Sequence, residues 1–431
     1  WKINPDLFSN LKIRASYGSL GNGNVSPYSY LELLSISTSG RVLNGLKNKY
    51  TSAPAVMPDG LTWETATTTD VGLDFGMLNN RLQFNGDYYI RKTTDMYTVG
   101  ETLPDVFGAS SPKGNYADMT TKGWEITLTW RDRFTLAEKP FNYEIRGTLS
   151  DYISTIDRYN NQTGNLDDYY AGKRVGEIWG YVTEGLFKDQ ADIDSHADQT
   201  LIQSSSKRIT YPGDVKIKDL NGDKVIDYGN NTLDDHGDKK VIGNALPRYS
   251  YSLNLSGDWN NFFLSAFFQG VGKQDWYPSS ECIFWGQYNR PYNNMPTWHQ
   301  GNYWTEDNTD AYLPRYAGYN ASLKSTPQTR YLQNVAYIRL KNLQFGYTLP
   351  QQVVSKAKLQ NVRVYISAEN LWCWSPLYKH TRDLDVTNIY GSDPDLTDAD
   401  MSSGLNGNRG SGDGNSYPQM KSVSLGLSVT F

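Results

Sequence analysis

Only two cysteines, Cys282 and Cys373, occur in 431 residues, which excludes a disulfide-stapled scaffold; the two are open to pairing or to standing as buried thiols. Four histidines (His196, His236, His299 and His380) each stand alone in a polar stretch. No H-E-x-x-H, G-x-S-x-G or P-loop pattern accompanies them, and scattered carboxylates do not make an acid–base pair. The expectation is therefore no catalytic residue and no enzyme. A basic excess is also missing: the formal net charge is -5, so nothing invites nucleic acid. No apolar run approaches the ~18 residues that a spanning helix requires. The start, Trp1-Lys2-Ile3-Asn4-Pro5, lacks the Met, basic segment and apolar stretch of an export signal, so the chain is expected to be part of a longer product.

What the chain has instead is aromatic surface and turns. It carries 32 Tyr, 14 Phe and 12 Trp, and 38 Gly beside abundant Asn, Ser, Thr and Asp. Tyr and Trp suit a water–lipid boundary, and equally suit sugar or peptide contact. Mean hydropathy is low. That does not exclude a membrane, because strands of a membrane barrel alternate apolar and polar residues.

Such alternation recurs. Val423, Leu425, Leu427, Val429 and Phe431 interleave with Ser422, Ser424, Gly426, Ser428 and Thr430. Successive strand residues face opposite ways, so one face is apolar and the other small and polar. The same pattern holds for Leu11 to Tyr17, Leu82 to Ile90, Trp124 to Trp130, Phe141 to Leu149 and Val362 to Ala368. No charge falls on the apolar face of these six, where a lipid-facing Arg or Lys would cost ~2–4 kcal/mol at midplane. A soluble sandwich would alternate too, with its apolar face inward.

The connections separate these readings. Asn79-Asn80 and Asp258–Asn261 mark tight hairpins, whereas about 153–247, 271–334 and 375–420 are long polar loops. Short turns at one end and long loops at the other mark an outer-membrane barrel. Strands are expected near 10–19, 66–76, 81–92, 120–131, 141–152, 248–258, 261–271, 335–341, 342–349, 361–370 and 421–431. That makes about eleven, the 335–349 stretch being alternatively one strand with a bulge. A short helix is expected over Gln351–Leu359.

Several segments resemble the SusC/RagA-like TonB-dependent transporters. They are Leu11-Lys12-Ile13-Arg14-Ala15-Ser16-Tyr17-Gly18, Thr69-Asp70-Val71-Gly72-Leu73-Asp74 and Lys122-Gly123-Trp124-Glu125. Pro212-Gly213-Asp214 through Asp227, Tyr337-Ile338-Arg339-Leu340-Lys341-Asn342-Leu343 and Ser367-Ala368-Glu369-Asn370-Leu371 complete the set. The resemblance implies the C-terminal half of one all-β domain, residues 1–431, from a transmembrane antiparallel barrel of about 22 strands. It implies an N-terminal plug and early strands outside this chain, a SusD-like lipoprotein lid, coupling to the TonB system and import of glycans or peptides. Phe431 fits the family's barrel-assembly signal.

Two constellations stand out. Asp219, Asn221, Asp223, Val225 and Asp227 occupy positions 1, 3, 5, 7 and 9 of an EF-hand-type calcium loop. Lys224 sits where Gly makes the sharp turn, and Asn230 where a bidentate carboxylate belongs, departures that favour a plain Asx-rich surface turn over a calcium site. The second long loop carries Trp276, Tyr277, Phe284, Trp285, Tyr288, Tyr292, Trp298, Tyr303 and Trp304. Of these, Trp276, Tyr277, Trp285, Tyr288, Trp298 and Trp304 are candidates to stack on a substrate or pack against the lid, the alternative being a loop folded on itself. The leading expectation is a multi-pass barrel in outer-membrane lipid that imports nutrients. The rivals are a secreted β-sandwich adhesin or lectin and a passive porin.

Overall fold

A computed structural model describes residues 7–23, 31, 33–52, 60–100, 106, 111–203, 209–279, 282–288, 294–317, 326–387, 389 and 418–431. Its frame is one ten-stranded antiparallel sheet in which every strand pairs with its neighbours in the frame's chain order. The strands are β1 (Phe8–Asn22), β2 (Glu64–Met77), β3 (Leu82–Val99), β4 (Lys113–Leu136) and β5 (Lys139–Arg158). They continue with β6 (Arg248–Trp259), β7 (Phe262–Lys273), β8 (Tyr337–Thr348), β9 (Asn361–Trp374) and β10 (Ser422–Thr430). The count of eleven is corrected to ten, because 335–341 and 342–349 form the single strand β8. The change of parity there is absorbed by a register shift between Leu340 and Asn342.

The register carries the alternation across the sheet. One row runs Leu11, Phe75, Phe84, Leu128, Gly147, Leu253, Phe268, Leu340, Trp372. The adjacent row runs Lys12, Asp74, Asn85, Thr127, Thr148, Ser252, Gln269, Arg339, Cys373. The apolar face is not a core: Ile13 is 60%, Leu425 78% and Leu427 67% exposed. Among the described residues no second sheet packs on it, which removes the two-sheet sandwich. The polar face is cross-linked instead. Arg14 donates to Asp74 at 2.8 Å and to Asp87 at 3.0 Å, and Thr148 and Ser252 share a hydrogen bond at 2.6 Å. One polar-face row alternates aromatic and glycine, Phe263, Gly346, Tyr365, Gly426. The Phe263 and Tyr365 rings occupy the space that glycine Cβ atoms would take, so they lie along the wall.

Two-residue turns close one end. Asn260 and Asn261 (φ 46° and 71°) join β6 to β7, and Ala137 and Glu138 (φ 46° and 63°) join β4 to β5, both in the left-handed geometry that matches strand twist. At the β2–β3 turn Leu78, Asn79 and Asn80 are all left-handed. The expected helix after Pro350 is shorter than its sequence span, Gln351–Val354 followed by a 3-10 turn at Ser355–Ala357. At the other end β3, β4 and β5 run to 18, 24 and 20 residues. Tilted strands need ~9–11 to cross a bilayer; these three are much longer, and the first long loop leaves from the end of β5. No described helix is long and apolar enough to cross a membrane.

Candidate functional site

The main hydrophobic core lies in the loops. Val215, Ile217, Ile226, Trp276, Phe284, Trp285, Tyr331, Leu377 and Val386 all belong to one buried cluster fed by the three long connections. Glu177–Tyr181 pairs with Lys239–Asn244, and Thr183–Leu186 pairs with Val215–Ile217. The Tyr181 amide donates to Pro327 O at 3.0 Å, tying the first loop to the second. Two ion pairs fasten the layer. Arg315 donates to the buried Asp214 at 2.7 Å, and Arg339 on β8 reaches Asp385 of the third loop at 2.6 Å with both side chains buried. Burial raises the Asp214 carboxyl above its ordinary value even against Arg315.

The six candidate rings divide. Trp276, Tyr277, Trp285 and Tyr288 are buried to 1% exposure or less. They fold the loop on itself and present no face to a ligand in this structure: Trp285 packs edge-on to Phe284 and Tyr331, and Tyr288 stacks on Tyr316 at 4.1 Å. Trp298 and Trp304 are only partly buried. These two keep ring surface at the edge of the layer, Trp298 against Phe284 and His380 and Trp304 over Gly213. Tyr292 lies outside the described residues, as does most of the stretch 375–420.

His299 sits at the centre of these rings, fully buried. Its Nε2 donates to Phe284 O at 2.9 Å, so Nδ1 is the acceptor from the Tyr316 hydroxyl at 2.7 Å and the ring is neutral. Burial lowers its pKa to about 4. Burial likewise pushes the hydroxyl of Tyr312 up to about 12.

The acidic loop forms as a chain of Asx turns. Asp219 accepts from Gly222 N at 2.6 Å and Lys224 N at 2.9 Å, Asn221 from Asp223 N at 3.0 Å, Asp223 from Val225 N at 2.8 Å and Asp227 from Gly229 N at 2.8 Å. Lys224 takes the left-handed conformation (φ 67°) at the position where Gly makes the turn. Asp238, fully buried, accepts from Leu220 N at 2.7 Å and Asp227 N at 3.0 Å. Among the described residues no three His, Cys, Asp or Glu side chains converge on a metal-sized site.

One feature escaped the sequence. A cleft of about 290 Å³ lies where the loop layer meets β5, β6 and β7, lined among others by Tyr152, Ser154, Arg174, Glu177, Arg248, Lys273 and Asp275. Glu177 accepts from Tyr170 Oη, and Arg248 pairs with Asp151. Its residues come from four separate segments, 152–154, 174–177, 241–248 and 273–275, none of which signals it alone. Phe431, the candidate assembly signal, is exposed just past the end of β10.

No protein-family model matches the chain. Over 97% of its length it is similar to TonB-dependent receptor P3 of Formosa agariphila, 29% identical across 444 residues that make up 39% of that protein. TonB-dependent receptor SusC of Bacteroides thetaiotaomicron aligns with the whole chain at 23% identity, over 39% of its own length. Of solved structures, that of the RagAB peptide transporter matches 99% of this chain and 41% of its own with a TM-score of 0.65 at 20% identity. The RagAB peptide importer in its 'closed-closed' state gives 0.67 at 18% identity. The chain therefore spans about two-fifths of the proteins it matches. Its resemblance to SusC/RagA-like TonB-dependent receptors runs the length of the chain, and its fold is that of the RagA barrel wall.

Proposed function

We propose that this chain is the C-terminal part of an outer-membrane barrel that imports oligosaccharides or peptides through the TonB system, with a SusD-like surface lipoprotein as its lid. The observation that carries the reading is the pair of adjacent rows across β1 to β9, one built of apolar side chains and glycine and the next polar from Lys12 through Arg339. An apolar row of that length left half-exposed, with Leu128 and Trp372 openly so, has lipid as its natural solvent, and a polar row behind it has water. The folded loop layer beyond the bilayer supplies a rigid rim for a lid. The edge rings Trp298 and Trp304 and the cleft beside Arg174 and Lys273 are its substrate-facing groups.

Two adjacent residues test the membrane assignment. Leu427→Arg places a charge on the lipid face at a cost of ~2–4 kcal/mol near midplane and impairs insertion of the full-length protein, whereas Ser428→Arg faces water and inserts normally. Equal insertion of the two contradicts the assigned faces. For transport, cells carrying the full-length receptor accumulate labelled oligosaccharides or peptides and lose that accumulation without TonB. TonB-independent uptake would leave a passive pore.

A further inference from the structure

The apolar face carries a groove near the short turns. It has a volume of about 390 Å³ and is lined mainly by Phe134, Phe141, Tyr143, Ile145, Leu255 and Leu264, with Glu144 and Ser256 also on its wall. Gly257 opens it: this residue lies between Tyr143 on β5 and Leu264 on β7, and a Cβ there would stand 3.3 Å from the Phe141 ring. Phe134 and Phe141 close the turn end with ring centroids 5.0 Å apart, and the Tyr143 hydroxyl accepts from Trp130 Nε1 at 3.1 Å. On the membrane reading, rings at this end of the strands stand where an interfacial aromatic belt belongs.

On β5 the residues Lys139, Phe141, Tyr143 and Ile145 share this face. From Lys139 to Ile145 is roughly 20 Å along the strand, or about 15 Å of depth at a tilt near 45°, which is one leaflet of a ~30 Å hydrocarbon core. Lys139 follows the Ala137–Glu138 turn, is exposed, and has no ion-pair partner among the described residues. A cation at the water boundary thus heads an apolar groove one leaflet deep.

We propose that this groove is a binding site for one phospholipid of the periplasmic leaflet, with an acyl chain over Gly257 and the headgroup phosphate beside Lys139. The inference rests on the membrane reading above. Hydrocarbon is available everywhere along the wall, so occupancy is set by shape and charge. A gap that only a chain can fill forfeits contacts when empty, and the lysine favours phosphate.

The test counts phospholipids bound to the full-length receptor, extracted in mild detergent, by native mass spectrometry. Wild type retains phospholipid, and Gly257→Leu, which fills the groove, loses it. Lys139→Gln, at an exposed turn where folding is not at stake, retains anionic phospholipid about fivefold less, equivalent to the ~1 kcal/mol of one surface lysine. Wild-type counts in both variants overturn the proposal. So does a Gly257→Leu protein that keeps its lipid but runs as a smaller oligomer than wild type, which assigns the groove to a second copy. A receptor released without detergent refutes the membrane reading itself; one that needs detergent yet holds no phospholipid refutes the groove alone.

Discussion

Acid should loosen the loop layer through one residue. His299 is neutral in the fold, donating to Phe284 O and accepting from Tyr316, with Trp298 edge-on at 4.2 Å. Its pKa drops from 6.5 to about 4 because burial penalises the imidazolium. A depressed value on a base means that the unfolded chain binds the proton first. The stabilising contribution is therefore complete above about pH 6.5 and is lost progressively as pH falls toward about 4. At about 1.4 kcal/mol per unit, the loss reaches ~3.5 kcal/mol at most. His380, lowered by burial and stacked on Tyr312, adds in the same direction, while Asp214, raised by burial, opposes it. The clean readout is thus a difference between proteins. Near-ultraviolet circular dichroism of this Tyr- and Trp-rich core follows its melting from pH 7.5 to 4.5 in wild type and in His299→Gln, whose amide keeps a donor for Phe284 O. Wild type loses stability steeply over that range and the variant loses less. Identical slopes would refute the reasoning.

Three further outcomes follow from named contacts. Asp385→Ala strands Arg339 without its buried partner and costs ~3–5 kcal/mol, whereas replacing both with apolar residues of similar volume restores most of it; limited proteolysis within 375–389 reports the difference. Gly426→Leu displaces the Tyr365 ring and destabilises the wall by ~1–3 kcal/mol, seen as a lower unfolding temperature of the barrel band on gels. Chelation with EDTA leaves melting of the loop layer unchanged, since Asp219, Asp223 and Asp227 are already satisfied by backbone N–H groups. A calcium-dependent rise in melting temperature would show instead that these turns rearrange around a cation.

The sheet was legible where one physical demand acts on every second residue. Leu11 to Tyr17 or Val423 to Phe431 must exclude charge from one face, and period two records that. The same demand lapses toward the loop end of the strands, which is why the extensions of β4 to Lys113 and of β5 to Arg158 leave no such pattern. Rings in irregular loops obey no period. Trp285 and Trp298 look alike in the sequence, and only long-range packing against Tyr331 or the layer's edge separates them. The groove depends on Gly257 meeting Tyr143 across a strand pair that a long loop separates in sequence, a register no local pattern fixes. The acidic loop was half legible: the alternating oxygens are there, but what they bond to is decided by neighbours such as Asp238.

The alternation of ring and glycine along Phe263, Gly346, Tyr365 and Gly426 has a bearing on anything that moves past it. An aromatic side chain normally juts into the space it borders and must swing away before bulky traffic gets by. Here each ring is tiled onto the strand beside it, like paving set flush with the ground, and Arg363 lies over Phe263 at 4.5 Å as a further course. Such paving spares width without surrendering stickiness, because a flat aromatic face still offers purchase to a sugar ring or a peptide plane. Under the import proposed above, cargo slides from tile to tile along this row with no ring to swing aside.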